Sequence, residues 1–189
     1  MYGGSDNGIY NNVITAYPDC GLTLKKFKSA VANYMDAHPD YVKWCKKVQE
    51  LALRKRISVN GFGRVRQLLG DDMSIMRQAL NSPVQGTAAD VAREAMADCQ
   101  EYIDEMSLTD RRWNEVKMLL QIHDELVFEC PEAMRQEVCT AMVKLMTKPI
   151  TINGYTFSLK VDPEVGKYWG NQESYDYIND KIVKEGSKH

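Results

Sequence analysis

Gln121-Ile122-His123-Asp124-Glu125-Leu126-Val127-Phe128-Glu129 is the stretch whose reading decides the fold. Apolar residues alternate on both sides of its polar centre: Met118, Leu120 and Ile122 precede His123-Asp124, and Leu126, Phe128 and Cys130 follow it. A period of two marks strands with one buried face, so the sequence predicts two paired strands joined by a tight turn at the His-Asp-Glu step. An acidic pair held at such a turn is well placed to grip a metal ion. Taken alone, the triplet reads more readily as an ordinary hairpin with a polar turn than as a metal site, and the rest of the chain must decide.

With 189 residues and 44% hydrophobic content, the chain can build one ordinary domain with a real core. Its formal charge of -2 excludes a uniformly basic nucleic-acid binder, so any phosphate-binding footprint must be local. One such footprint exists. Lys43, Lys46, Lys47, Arg54, Lys55, Arg56, Arg64 and Arg66 fall in one stretch, opposed only by Glu50. Charge alone fits a solvated helix face as well as a binding surface. The adjoining Gly63-Arg64-Val65-Arg66 favours phosphate contact, because arginine forks two donors onto one phosphate and glycine lets a backbone approach closely.

The five cysteines, at 20, 45, 99, 130 and 139, show no CxxC spacing and read as reduced packing residues rather than zinc ligands. No signal peptide opens the sequence and no apolar run is long enough to span a bilayer, so a cytoplasmic location and no membrane partner are expected.

Three glycines in the first eight residues loosen the start, and a helix then uses Tyr10, Val13 and Ile14 as its apolar side. Leu24, Phe27, Val31, Tyr34 and Met35 recur at helical spacing after Thr23, a candidate N-cap. His38-Pro39 ends that helix, leaving His38 at the surface. The next helix starts near Pro39 and buries Tyr41, Trp44, Cys45, Val48, Leu51 and Ala52. Ile57 to Arg66 reads as a short ribbon, with Asn60-Gly61 supplying the positive dihedral angles of its turn.

Residues 72–106 are strongly helical, with Val84, Ala88, Val91, Ala95, Cys99 and Met106 along one stripe. If the helix runs through Pro83, Arg77, Asn81 and Gln85 share a second face. A competing reading starts a new helix there, with Ser82 as N-cap and Gln85 as its capping-box partner. Residues 107–110 read as a turn. After the central hairpin, Pro131 opens a helix with Met134, Val138, Ala141, Met142 and Leu145 on its buried stripe. Asn153-Gly154 is a turn signal, and Phe157, Leu159 and Val161 alternate as a last strand. Asn171 to His189 is a polar extension with partial helical character and no assigned role.

Read together, these motifs resemble DNA polymerase family A, the group that contains the bacterial repair polymerase and many phage replicases. His123-Asp124-Glu125 resembles the family's motif C, and Tyr2-Gly3-Gly4-Ser5 resembles the end of motif B. Gly63-Arg64-Val65-Arg66 is similar to the template-binding Gly-Arg-x-Arg segment. Arg77, Asn81 and the run Ser82-Pro83-Val84-Gln85-Gly86-Thr87-Ala88-Ala89-Asp90 are similar to the long helix entering the palm. Val161 to Trp169 is similar to the closing strand and terminal Val-Gly-x-x-Trp, so the resemblance runs from residue 2 to residue 170.

The resemblance implies a DNA-directed DNA polymerase that transfers a nucleotide from a dNTP to a primer 3′ end using two magnesium ions. Such ions sit about 3.5–4 Å apart and are held by carboxylates from separate segments. It assigns Asp124 as metal ligand and catalytic residue, Glu125 as the accessory catalytic carboxylate and His123 as a primer-terminus contact. Tyr2 and Gly3 fall beside the incoming nucleotide, Arg64 and Arg66 on the template backbone, and Arg77, Asn81 and Gln85 on the duplex. Amide donors in the minor groove would check base-pair geometry without reading sequence. Asp162 and Glu164, the nearest other carboxylates, become surface residues of the last strand.

Motif A, with the first catalytic aspartate, and the motif B residues that clamp the triphosphate have no counterpart in this sequence. The resemblance therefore implies an upstream polymerase polypeptide carrying them, and no activity for the chain alone. A split gene, an interrupted gene and a truncated record fit equally. The architecture expected is α+β: a helical fingers portion over residues 1–80, a palm portion with an antiparallel sheet over 81–170, and the extension over 171–189. Exposed apolar surface is expected where the absent segments would pack. A non-catalytic nucleic-acid-binding or assembly subunit is the alternative, using the basic ribbon and the Asn81 and Gln85 helix face.

Overall fold

The computed structural model describes residues 6–184. The chain divides within one long helix into two compact units, the first reaching Thr87 and the second starting at Ala88. Helices combine with short antiparallel sheets, so the fold is α+β, as the sequence implies.

In the first unit, helix α1 (Asp6–Ala16) takes in Gly8, earlier than the glycine-rich start led us to expect. Tyr10, Val13 and Ile14 are half-buried, and the Tyr10 ring stands 5.9 Å from that of Phe27 on α2 (Leu24–Ala37). Thr23 caps α2 as anticipated: its hydroxyl accepts from the Lys26 amide at 3.3 Å. Helix α3 (Pro39–Lys55) has proline in its first turn and ends at Arg56 in left-handed conformation. Between these helices, exposed His38 stacks on Tyr34 at 4.2 Å and its Nδ1 donates to the Tyr34 carbonyl at 2.7 Å.

The core of this unit is small. Ala52 on α3, Leu68, and Ile75 and Ala79 on α4 are buried, whereas Tyr41 and Trp44 are only half-buried and stack at 6.0 Å. Fully burying a leucine or isoleucine side chain contributes roughly 1.5–3 kcal/mol, so Leu68 and Ile75 dominate the adhesion of α4 to this unit.

Helix α4 (Asp72–Thr109) runs through Pro83 without a break, which settles the choice between one helix and two. Its true cap is Asp71, whose carboxylate accepts from the Ser74 amide at 2.7 Å. Ser82 is a buried interior residue, not an N-cap, and residues 107–109 are helical rather than a turn. Val84 and Ala88 are exposed, whereas Val91 and Ala95 are half-buried, Cys99 is buried and Met106 packs on the core, so the stripe drawn from sequence holds from Val91 onward, where Ile103 joins it.

The second unit packs around Trp113, which is fully buried on a short 3-10 helix (Arg111–Glu115) and meets Tyr102 edge-on at 5.4 Å. Cys99, Ile103, Val116, Met134, Val138 and Met142 complete the core, the last two from α5 (Arg135–Met146). Asp110 caps the 3-10 helix and is held by the Arg112 guanidinium, whose hydrogen bonds keep the carboxyl below its ordinary value. Strands β3 (Lys117–Ile122) and β4 (Glu125–Glu129) form the expected hairpin. A register shift between Met118 and Leu120 breaks the predicted alternation, so Leu119 and Leu120 are both exposed while Phe128 and Cys130 pack on the core.

Strands β5 (Ile150–Ile152) and β6 (Tyr155–Phe157) turn at Asn153-Gly154 with both φ angles positive, as that dipeptide signals. Leu159 and Val161 do not extend a strand; the closing strand is β7 (Glu164–Gly166). The polar extension is not helical. It forms β8 (Gln172–Ile178) and β9 (Lys181–Lys184), turning at Asn179-Asp180 with φ of 50° and 59°, and pairs onto β7 in the order β7-β8-β9. A Cβ at Gly166 would stand 2.9 Å from the Gln172 Cα, so only glycine admits this pairing. Ile182 on β9 is buried, and the Gln136 side-chain amide on α5 is placed to exchange hydrogen bonds with its backbone at 3.2 and 2.8 Å.

Among the described residues no helix is long and apolar enough to cross a membrane. Burial pushes the thiols of Cys99 and Cys139 up to about 11. Alkylation at pH 8 followed by mass spectrometry should therefore modify exposed Cys20 first and Cys99 and Cys139 last; prompt labelling of Cys99 in folded protein would contradict the packing described. Trp113→Ala should cost about 3–5 kcal/mol in denaturant unfolding, and a loss under about 1 kcal/mol would remove Trp113 from the centre of the core.

Candidate nucleic-acid and metal sites

The hairpin tip is built by one unusual backbone angle. Ile122 pairs directly with Glu125, so His123 and Asp124 alone make the connection, and His123 takes φ of 55°. Left-handed backbone is uncommon outside glycine but several-fold enriched in histidine. The Gln121 side-chain amide donates to the His123 carbonyl and closes the turn. His123, Asp124 and Glu125 are all exposed, while half-buried Leu126, Val127 and Phe128 root the strand behind them. The fold thus presents two consecutive carboxylates on a short, internally bonded turn.

Hard magnesium is commonly held by one or two carboxylates together with waters and substrate phosphates. Asp124 and Glu125 fit that donor chemistry as one segment's share. Among the described residues no cluster of three or more His, Cys, Asp or Glu side chains forms a complete metal cage. Asp162 is engaged by Lys160, and Glu164 lies exposed on β7.

In the first unit, β1 (Ile57–Val59) and β2 (Val65–Gln67) form the basic ribbon, with Val59 opposite Val65. Its loop is not the two-residue Asn-Gly turn anticipated. The Asn60 carboxamide oxygen accepts from the amides of Phe62 and Arg64 at 3.0 and 2.9 Å, and the positive φ, 80°, belongs to Gly63. Arg64 and Arg66 are exposed on this ribbon, and the Arg66 guanidinium donates to the Ser82 hydroxyl at 3.3 Å. Arg56 is instead held by Asp72 at 2.7 Å and Lys43 by Asp40 at 3.4 Å, which narrows the basic footprint drawn from sequence.

Because α4 is unbroken through Pro83, Arg77, Asn81 and Gln85 stand four apart on it. Arg77 and Gln85 are exposed. The Asn81 carboxamide oxygen is buried with no hydrogen-bond partner among the described residues. Tyr2 and Gly3, read as nucleotide contacts, lie outside the described residues. Three polar residues organise this unit in ways the sequence does not announce: Asn60 reads there as a turn residue and Ser82 as a candidate N-cap, and Thr87 has no role of its own. The available signal was Thr87 four residues after Pro83, a spacing at which a threonine hydroxyl can reach back to the helix backbone.

Known proteins resemble this chain in sequence and in fold. The sequence profile of DNA polymerase family A matches residues 1–171. DNA polymerase I of Bacillus caldotenax is 27% identical over 177 residues, covering 89% of this chain and 18% of that protein. The chloroplastic DNA polymerase I A of Oryza sativa subsp. japonica is 35% identical over 159 residues, covering 80% of this chain and 15% of that protein. The chain thus spans less than a fifth of the length of these relatives. In fold it is similar to the POL domain of Pol1 from M. smegmatis, solved in complex with DNA primer-template and dNTP, with a TM-score of 0.65 and 24% identity over 83% of this chain and 26% of that one. A match over nearly the whole chain, with the His-Asp-Glu turn inside it, settles the kinship: the chain belongs to DNA polymerase family A.

Proposed function

We propose that this chain is the C-terminal catalytic portion of a DNA-directed DNA polymerase that extends a primer from dNTPs on a DNA template. The observation that carries the reading is the exposed Asp124-Glu125 pair on the stapled His123 turn, in a chain of this family. Support comes also from the solved relative, which holds primer-template and dNTP.

Asp124 is the metal ligand in this reading, and Glu125 shapes the site beside it. The bound magnesium pair would supply charge stabilisation for phosphoryl transfer. The residues of this chain position and bind. His123, its backbone fixed by Gln121, contacts the primer terminus. Arg64 and Arg66 hold template phosphates, Arg66 from a guanidinium already steadied by Ser82. Arg77, Asn81 and Gln85 line the helix that meets the duplex, where side-chain amides test base-pair shape in the minor groove. Tyr2 and Gly3 serve the incoming nucleotide. Residues 1–80 act as fingers, 81–170 as palm and 171–189 as an appended element. The other metal carboxylate and the triphosphate clamp come from a polypeptide segment carrying motif A and the start of motif B.

Primer extension by the assembled enzyme tests this directly. Asp124→Asn should reduce incorporation by more than the roughly 100-fold that loss of an outer-shell partner costs, with primer-template binding kept. Substantial residual incorporation would remove Asp124 from the metal site. Gln85→Ala should slow extension from a paired primer end while shifting stability within about 0.5 kcal/mol, as for an exposed side chain. Normal extension with a large stability loss would make Gln85 structural.

A further inference from the structure

The basic ribbon is fastened to α4 by one helical stripe. Ser82, Gly86 and Thr87 face it: Ser82 receives Arg66, and a methyl group added at Gly86 would stand 3.4 Å from the Asn60 Cβ. Thr87 receives the loop itself, its hydroxyl oxygen accepting from the Gly61 amide at 2.8 Å.

The direction of each hydrogen bond is fixed by chemistry. The Thr87 hydroxyl also lies 2.6 Å from the Pro83 carbonyl, which can only accept, so its proton is committed to the helix. Its lone pairs are left for Gly61, whose N–H can only donate. The loop that Thr87 holds is internally rigid, since Asn60 accepts from Phe62 and Arg64 and its carbonyl accepts from Gly63 at 3.0 Å. Motion of Gly61 is therefore motion of Arg64. Arg66, directly across the ribbon from Ser58, is tied at the far end by Ser82, itself only 5% exposed.

We infer that Thr87 and Ser82 are positioning residues for template binding, fixing the ribbon to α4 so that Arg64 and Arg66 present their charges to the template backbone at set places. This rests on the proposed role of those two arginines. Neither hydroxyl touches DNA in this account. Each acts through the ribbon.

The test is equilibrium binding of the purified chain to a fluorescent primer-template across a range of salt concentrations, with melting temperature measured alongside. Losing one phosphate contact lowers the slope of log affinity against log salt by about one. Thr87→Val keeps the shape but loses the acceptor, and should lower the slope by about that amount, as should Ser82→Ala; Thr87→Ser should restore it. Arg66→Ala is the reference. A lowered slope in Arg66→Ala with unchanged slopes in Thr87→Val and Ser82→Ala overturns the positioning role and leaves the arginine role standing. An unchanged slope in Arg66→Ala overturns both. If Thr87→Val loses its fold and Ser82→Ala binds as the parent does, the hydroxyls are structural and the inference fails.

Discussion

A histidine in left-handed backbone conformation is the constraint on which the candidate chemistry depends. With His123 at φ of 55° and its carbonyl held by Gln121, two residues suffice to reverse the chain, and strand pairing continues to Glu125. A longer or looser connection would let the two carboxylates wander. Phe128 and Cys130, packed among Cys99, Trp113 and Met134, anchor the far end of the same strand. The carboxylates thus occupy the exposed end of an element whose other end packs on the core, an arrangement that fixes ligands without a cage of their own. Fixed geometry is what phosphoryl transfer requires from a protein, since positioning and electrostatic stabilisation do most of the work.

The first unit solves a related problem with fewer buried groups. Among the described residues its core is four buried side chains, too small to hold a basic ribbon by hydrophobic contact, and the ribbon's own Val65 is 60% exposed. Directional bonds replace burial: Asn60 closes the loop, Thr87 docks it and Ser82 holds Arg66. Pro83 belongs to this design as well. A proline inside a helix removes one amide donor, yet its carbonyl orients the Thr87 hydroxyl that receives the loop.

Much of the fold was legible because it rests on local chemistry. Thr23, Pro39, the His-Asp-Glu hairpin and Asn153-Gly154 each act within a few residues, and each appears where the sequence placed it. What stayed hidden depended on partners distant in sequence. Helix α4 passes Pro83 because Ile75 and Ala79 hold its first turns in a core, which a capping-box pattern cannot reveal. Leu120 is exposed because a shift in strand register breaks the alternation. The extension is β rather than helical because β7 offers an edge for β8, and Ile182 and Gln136 fasten β9 to α5. For the candidate sites, the charged residues were visible as types; the hydroxyls that place them were not, since serine and threonine carry no motif of their own.

On the proposed reading this chain supplies a working part of a polymerase active site rather than a binding surface alone. The most direct measurement is primer extension in magnesium by this chain, by a polypeptide carrying motif A and the triphosphate clamp, and by the two together. Extension is expected when both are present and none from either alone. Primer-template binding without extension in any combination would contradict the catalytic role and identify the chain as a nucleic-acid-binding subunit.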